Sequence, residues 1–181
     1  PPPPTAPKDP SLEHIDALGG KQFQAFPGQD HRAHVTAHLN FMSTNLVRNN
    51  PNVMAAIQKN ILEHISLMAT EQVQLEYREQ MVQLQQLAQQ AAVNPQAQQQ
   101  VAEMTQNIEA RKAVLIAEMT GDFMKEEKEI TSQFDSDPLL KLKSREVDLK
   151  AMENQRKQEE TTANQELERA KLLQAQQLNQ Q

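Results

Sequence analysis

Three Asx–proline pairs, Asn50-Pro51, Asn94-Pro95 and Asp137-Pro138, punctuate this chain, and the prolines are 44 and 43 residues apart. Proline at the first helical position sacrifices no hydrogen bond, because the N–H it lacks would have no intrahelical partner. The Asx side chain before it accepts from the first turn. After Gly28 these are the only prolines in the sequence. The spacing therefore predicts three long rods over about 51–92, 95–135 and 138–178, preceded by a helix over 30–48. Forty helical residues span roughly 60 Å. The rods share a length but not a sequence, so they are not a duplicated module.

Apolar residues fall into helical rows and hardly anywhere else. Val35, Leu39, Met42 and Leu46 step by 4, 3 and 4; Val53, Ile57, Ile61, Ile65 and Met68 step by 4, 4, 4 and 3. Each row lines one face of a helix. The tight turn at Arg48-Asn49-Asn50-Pro51 predicts that the two helices fold back as an antiparallel hairpin. These nine residues are the expected helix and subunit packing positions.

With four glycines, 3% aromatic residues and no sustained alternation, strands are not expected. The fold class expected is all-α: a helical hairpin followed by long extended helices that assemble into an oligomeric ring or barrel. Three parts are expected: a proline-rich extended lead-in with a short helix over 1–29, the hairpin running into a Gln-rich helix over 30–92, and two long barrel-forming helices over 95–181. Gly19-Gly20 should close the short helix, Pro27-Gly28 should turn, and Asp30 should cap the helix that starts there. In the second rod Val101, Met104, Ile108, Leu115, Met119, Phe123, Ile130 and Phe134 provide apolar positions, with Gly121 an expected weak point. The third rod carries a sparse seven-residue stripe, Leu142, Leu149, Arg156, Ala163 and Ala170, and needs neighbours in register. Beginning at Pro1, the chain is expected to be part of a longer polypeptide.

A formal charge of −6 argues against a surface that grips nucleic acid. The third rod balances eight basic against seven acidic residues between Lys141 and Lys171, as a solvated helix does. The glutamine runs read as solvated helical faces, with hydrogen-bonded ladders between chains as the rival. The absence of cysteine excludes disulfides and thiol chemistry, and no segment reaches the ~20 apolar residues of a membrane span.

His31, His34 and His38 share one side of the first helix, and reflection about the turn brings His64 near the level of His34 and Val35. Imidazole nitrogen suits Zn²⁺. HxxHxxxH without a paired carboxylate is nevertheless a weak pattern, and HExxH is absent. The histidines are expected to be a polar flank bonding backbone or one another. A histidine–metal enzyme is the rival and would need an open coordination position. No catalytic, cofactor or metal residue is assigned, and no enzyme is expected, since neither a nucleophile–base pair nor a phosphate-binding glycine loop occurs.

Asp30-His31, His34 and His38, with Asn50-Pro51 and His64-Ile65 after them, resemble the C-terminal region of portal proteins from large tailed bacteriophages. Asp137-Pro138-Leu139-Leu140-Lys141-Leu142-Lys143, running into Glu146-Val147-Asp148-Leu149-Lys150, is similar to the tail of those proteins. The resemblance covers most of residues 9–160 and concerns the crown and barrel alone. It implies a homo-oligomeric ring, dodecameric in the family, at the portal vertex inside the capsid of a virion. Double-stranded DNA would pass through it without sequence recognition during packaging and ejection. Other virion proteins would be its partners, and a membrane would not. The alternative is an internal capsid core, ejection or scaffolding coiled-coil protein.

Overall fold

The computed structural model describes residues 6–179, so the proline run at 1–5 and the last two glutamines lie outside the described residues. Among the described residues there are seven helices and no strand: α1 Pro10–Leu18, α2 His31–Met42, α3 Asn45–Arg48, α4 Pro51–Glu76, α5 Arg78–Gln90, α6 Pro95–Ser136 and α7 Pro138–Leu178. The all-α class is as expected from the sequence.

Every Asx–Pro pair opens a helix. Asn50 accepts from the Val53 N–H, Asn94 from Gln96 and Ala97, and Asp137 from Leu139. Asp9 does the same for α1 from Ser11, and Asp30 caps α2 from Ala33. Gly20 and Gly28 have φ of 69° and 80°, the left-handed region that a side chain disfavours.

The leading helix and the first rod are interrupted where continuity was expected. The 30–48 helix breaks at Ser43-Thr44, where side chains compete with the helical ladder. The Ser43 hydroxyl donates to the Leu39 carbonyl at 3.0 Å and the Thr44 hydroxyl to the Phe41 carbonyl at 2.7 Å. Thr44 turns extended, with ψ of 151°, and leads into the short α3. The break shifts the phase, so Val47 is fully buried and Leu46 only half-buried. The 51–92 rod breaks at Tyr77, a single residue at φ −109° and ψ 25°. A row stepping by four drifts about 40° per step on a helix of 3.6 residues per turn. Val53, Ile57, Ile61, Ile65, Ala69, Val73, Tyr77 and Met81 all step by four. The row thus winds around α4, facing α2 first and α6 later, and the interruption keeps α5 on α6. Gly121 causes no break, since α6 runs unbroken over 42 residues.

α6 folds back along α5 and α4, so the hairpin and the second rod form one body and not separate parts. One apolar cluster joins Val35, Leu39, Phe41, Met42, Val47, Val53, Ile57, Ile61 and Ile65 to Phe123, with Met68 half-buried against it. A second joins Ala69 and Val73 to Ile108 and Leu115. Burying each large aliphatic side chain contributes about 1.5–3 kcal/mol. The apolar rows of the first two rods thus pack on one another within one chain, although α5 buries no residue fully. Thr36 donates to Glu126 at 3.0 Å and Arg111 makes two bonds to Glu76 at 2.8 and 3.1 Å, tying α6 to α2 and α4.

α7 behaves differently. Its half-buried positions Asp148, Ala151, Gln155 and Gln158 lie along α3 and α1, and Gln155 donates to the Leu18 carbonyl at 3.1 Å. This seam is polar. Leu142 and Leu149 of the seven-residue stripe stay exposed, as do Leu139, Val147 and Met152. From Glu159 to Leu178 every residue is exposed, an arm about 30 Å long. No helix among the described residues is long and apolar enough to cross a membrane.

Candidate functional site

All five histidines of the chain converge where α1, α2 and α4 meet, and four of them, His31, His34, His38 and His64, are buried. The i, i+3 and i, i+4 spacings of α2 put its three histidines on the side facing α1 and α4. The hairpin then sets His64 against them: the rings of His34 and His64 stack with centroids 4.6 Å apart. His31 and His64 are hydrogen-bonded through their Nδ1 atoms at 2.8 Å. So the four histidines singled out in the sequence do come together.

α1 contributes the residues that sequence reasoning left out. Its inward face carries two acidic residues: Glu13 and Asp16 are buried beside Ala17, while Leu12 is exposed. Glu13 Oε1 accepts from His34 Nδ1 at 2.8 Å and lies 3.7 Å from His38 Nε2. His14 stacks on Phe41 at 4.0 Å and its Nε2 bonds His38 Nδ1 at 2.9 Å. Asn60, buried on α4, holds His38 Nε2 through its Oδ1 at 2.8 Å. A carboxylate is thus paired with the histidines in space, although none is paired with them in sequence.

The segment between α1 and α2 is tied to acidic residues of α4. The Ala25 N–H donates to Glu63 and the Gly28 N–H to Glu71, at 2.9 and 2.8 Å. Glu71 also receives His31 Nε2 at 3.0 Å. These bonds fix α1 over α4 and place Glu13 among the histidines.

Low dielectric sets the charge state of the cluster. Burial, assisted by the neighbouring carboxylates of Asp16 and Glu63, pushes Glu13 up to about 8. Burial also pushes His14 down to about 4 and His38 and His64 down to about 3, and lowers His34. At neutral pH these four imidazoles are therefore uncharged, the form that can offer a lone pair. Within the cluster, the buried atoms Glu13 Oε2 and His64 Nε2 have no hydrogen-bond partner among the described residues. One donor atom from each of Glu13, His34, His38 and His64 lies within 4.8 Å of all the others.

Of the nine expected packing positions, Val35, Leu39, Met42, Val53, Ile57, Ile61 and Ile65 are buried in the core of a single chain. Leu46 and Met68 are half-buried. The seven buried ones pack within one chain, whereas Leu142 and Leu149 of α7 are exposed. Family models, curated proteins and solved structures, compared with this chain, give no match.

Proposed function

We propose that this chain is a structural, self-associating helical module, of the kind that forms the crown and barrel of a tailed-phage portal. The observation that carries the proposal is α7. A helix of 41 residues lies on its own chain through a polar seam and keeps Leu142 and Leu149 in solvent. An isolated helix with so little burial frays. Further copies of the same chain, set side by side with their α7 helices in register, cover the stripe. Lys and Glu along its flanks then meet opposite charges on the neighbour, as at the edges of coiled coils.

On this reading the folded head spaces the copies around a ring and the α7 arms line up as a barrel. A net charge of −6 suits a channel through which double-stranded DNA slides without being held. The ring, its dodecameric count and its place at the portal vertex among other virion proteins rest on the family resemblance carried by the histidines of α2 and the Asx–Pro helix starts.

Sedimentation across a concentration series, with electron microscopy of the assembled fraction, tests the proposal. Closed rings of a single symmetry are expected. A fully helical monomer at every concentration would overturn it, and open fibres or irregular coiled-coil bundles would favour a scaffold or core protein instead.

A further inference from the structure

The buried centre of the head holds three imidazoles and a carboxylate from three different helices, and nothing in the assembly reading makes use of them. We propose that Glu13, His34, His38 and His64 form a closed site for one divalent transition-metal ion, zinc being the simplest occupant, which pins α1 to α2 and α4.

Donor chemistry is the first support. Nitrogen from histidine and oxygen from a carboxylate are ligands that zinc takes in fours, and His34 and His38 are an i, i+4 pair facing one way from a single helix. Incomplete hydrogen bonding is the second and independent support. Glu13 and His64 are 1% and 0% exposed, yet Glu13 Oε2 and His64 Nε2 have no partner among the described residues. An unpaired buried polar atom is costly, and here two of them belong to the same four-residue set. A cation bound among the four would satisfy both at once.

The remaining hydrogen bonds suit the role. His64 uses Nδ1 on His31, which leaves Nε2 for a metal, and His31 is in turn held by Glu71. Such outer partners fix ring orientation in metal sites. Binding asks for a modest rearrangement. His38 must release one of its two ring partners, Asn60 or His14, and His34 must release Glu13 from Nδ1 or Gln29 from Nε2. The donors, now within 4.8 Å of one another, must draw in to the separation of about 3.3 Å that 2.0–2.1 Å bonds impose in a tetrahedron. With four protein donors and no exposed ligand, the site is structural, since a catalytic ion keeps a position open.

The test uses the chain purified without a polyhistidine tag, at a dilution where assembly plays no part, so that failure of the ring proposal leaves it intact. Zn²⁺ or Co²⁺ is added to metal-stripped protein and monitored by calorimetry, elemental analysis and the visible spectrum of Co²⁺. One equivalent is expected, with the intense bands of tetrahedral cobalt and a thermal midpoint that climbs with free metal, as binding to the native state alone requires. Glu13→Gln and His64→Gln should keep the helical circular dichroism and weaken binding by about 100-fold or more, at or beyond what loss of an outer partner costs. Absence of stoichiometric binding overturns the proposal, and so does unchanged affinity in either folded variant. Should both variants fail to fold, the wild-type cobalt spectrum decides, and weak octahedral bands or none would sink the site.

Discussion

The head and the α7 arm solve opposite problems. In the head, α4 is covered by α1 and α2 near its start and by α6 further on, and Ile57 and His64 are fully enclosed. In the arm, Glu159 to Leu178 contains no residue that is even half-buried. Both are regular helices with well-made starts, so local sequence preference does not separate them. Burial does. A helix that owns its partners within the chain is stable alone, whereas one whose partners are elsewhere makes stability a property of the assembly.

One charge placed in each region should give the largest contrast. Ile57→Asp puts an unpaired carboxylate at a site with no solvent exposure. The head should lose its cooperative thermal transition, a cost above about 4 kcal/mol and among the largest a single change produces. Leu149→Asp, at a side chain 66% exposed, should leave the thermal midpoint of the dilute chain nearly unmoved and abolish assembly. Scanning calorimetry and sedimentation on the two variants give the answer. If both lose only assembly, the core of the head is not intramolecular as described.

A smaller effect probes the polar half of the head. Asn60 and His38 are both buried and bond each other at 2.8 Å. Asn60→Ala removes the acceptor and leaves His38 Nε2 unpaired, which costs about 1–3 kcal/mol. The His38 ring should also lose its slow-exchanging N–H signal in nuclear magnetic resonance. An unchanged denaturation midpoint would mean that water or a rotated ring satisfies His38 equally well.

How much of this was legible in the sequence depends on the range of the interaction. Asn50, Asn94 and Asp137 act on backbone two or three residues away, so their helix starts could be read directly. The rows from Val35 and Val53 keep a period that survives folding, and with the turn at Pro51 they specify the hairpin and bring His64 to His34. Two local signals were missed. Ser43 and Thr44 divert their hydroxyls to backbone carbonyls, and the drift of a row that steps only by four sets α4 winding towards α6. Glu13 was out of reach for another reason: its meeting with His34 depends on the path of the segment from Gly19 to Asp30. That path is fixed by bonds to Glu63 and Glu71, far away in sequence. The one clue lay within α1, where Glu13 and Asp16 recur at the spacing of a single helical face. The polar seam of α7 was missed for a related reason: its apolar stripe marked the side left free, and not the side that touches the head.

The mildest test concerns the boundary between the enclosed and the open parts, where Glu76 ends α4 and receives two hydrogen bonds from Arg111 of α6. Those bonds, with one from Gln72, hold Glu76 down to about 2, against an ordinary value of 4.5. A carboxylate whose pKa is lower in the folded chain binds fewer protons there than when unfolded. Its stabilisation is therefore complete above about 4.5 and is lost as the pH falls towards 2. The pair is solvent-exposed and open to screening by salt, so its effect is the smallest of those predicted. Arg111→Gln should lower the thermal midpoint slightly at pH 6, and the gap to wild type should close as the pH approaches 2 and as salt is raised. A gap that persists at pH 2 would show that Arg111 acts through packing of its aliphatic stem along α4 and not through the charge on Glu76.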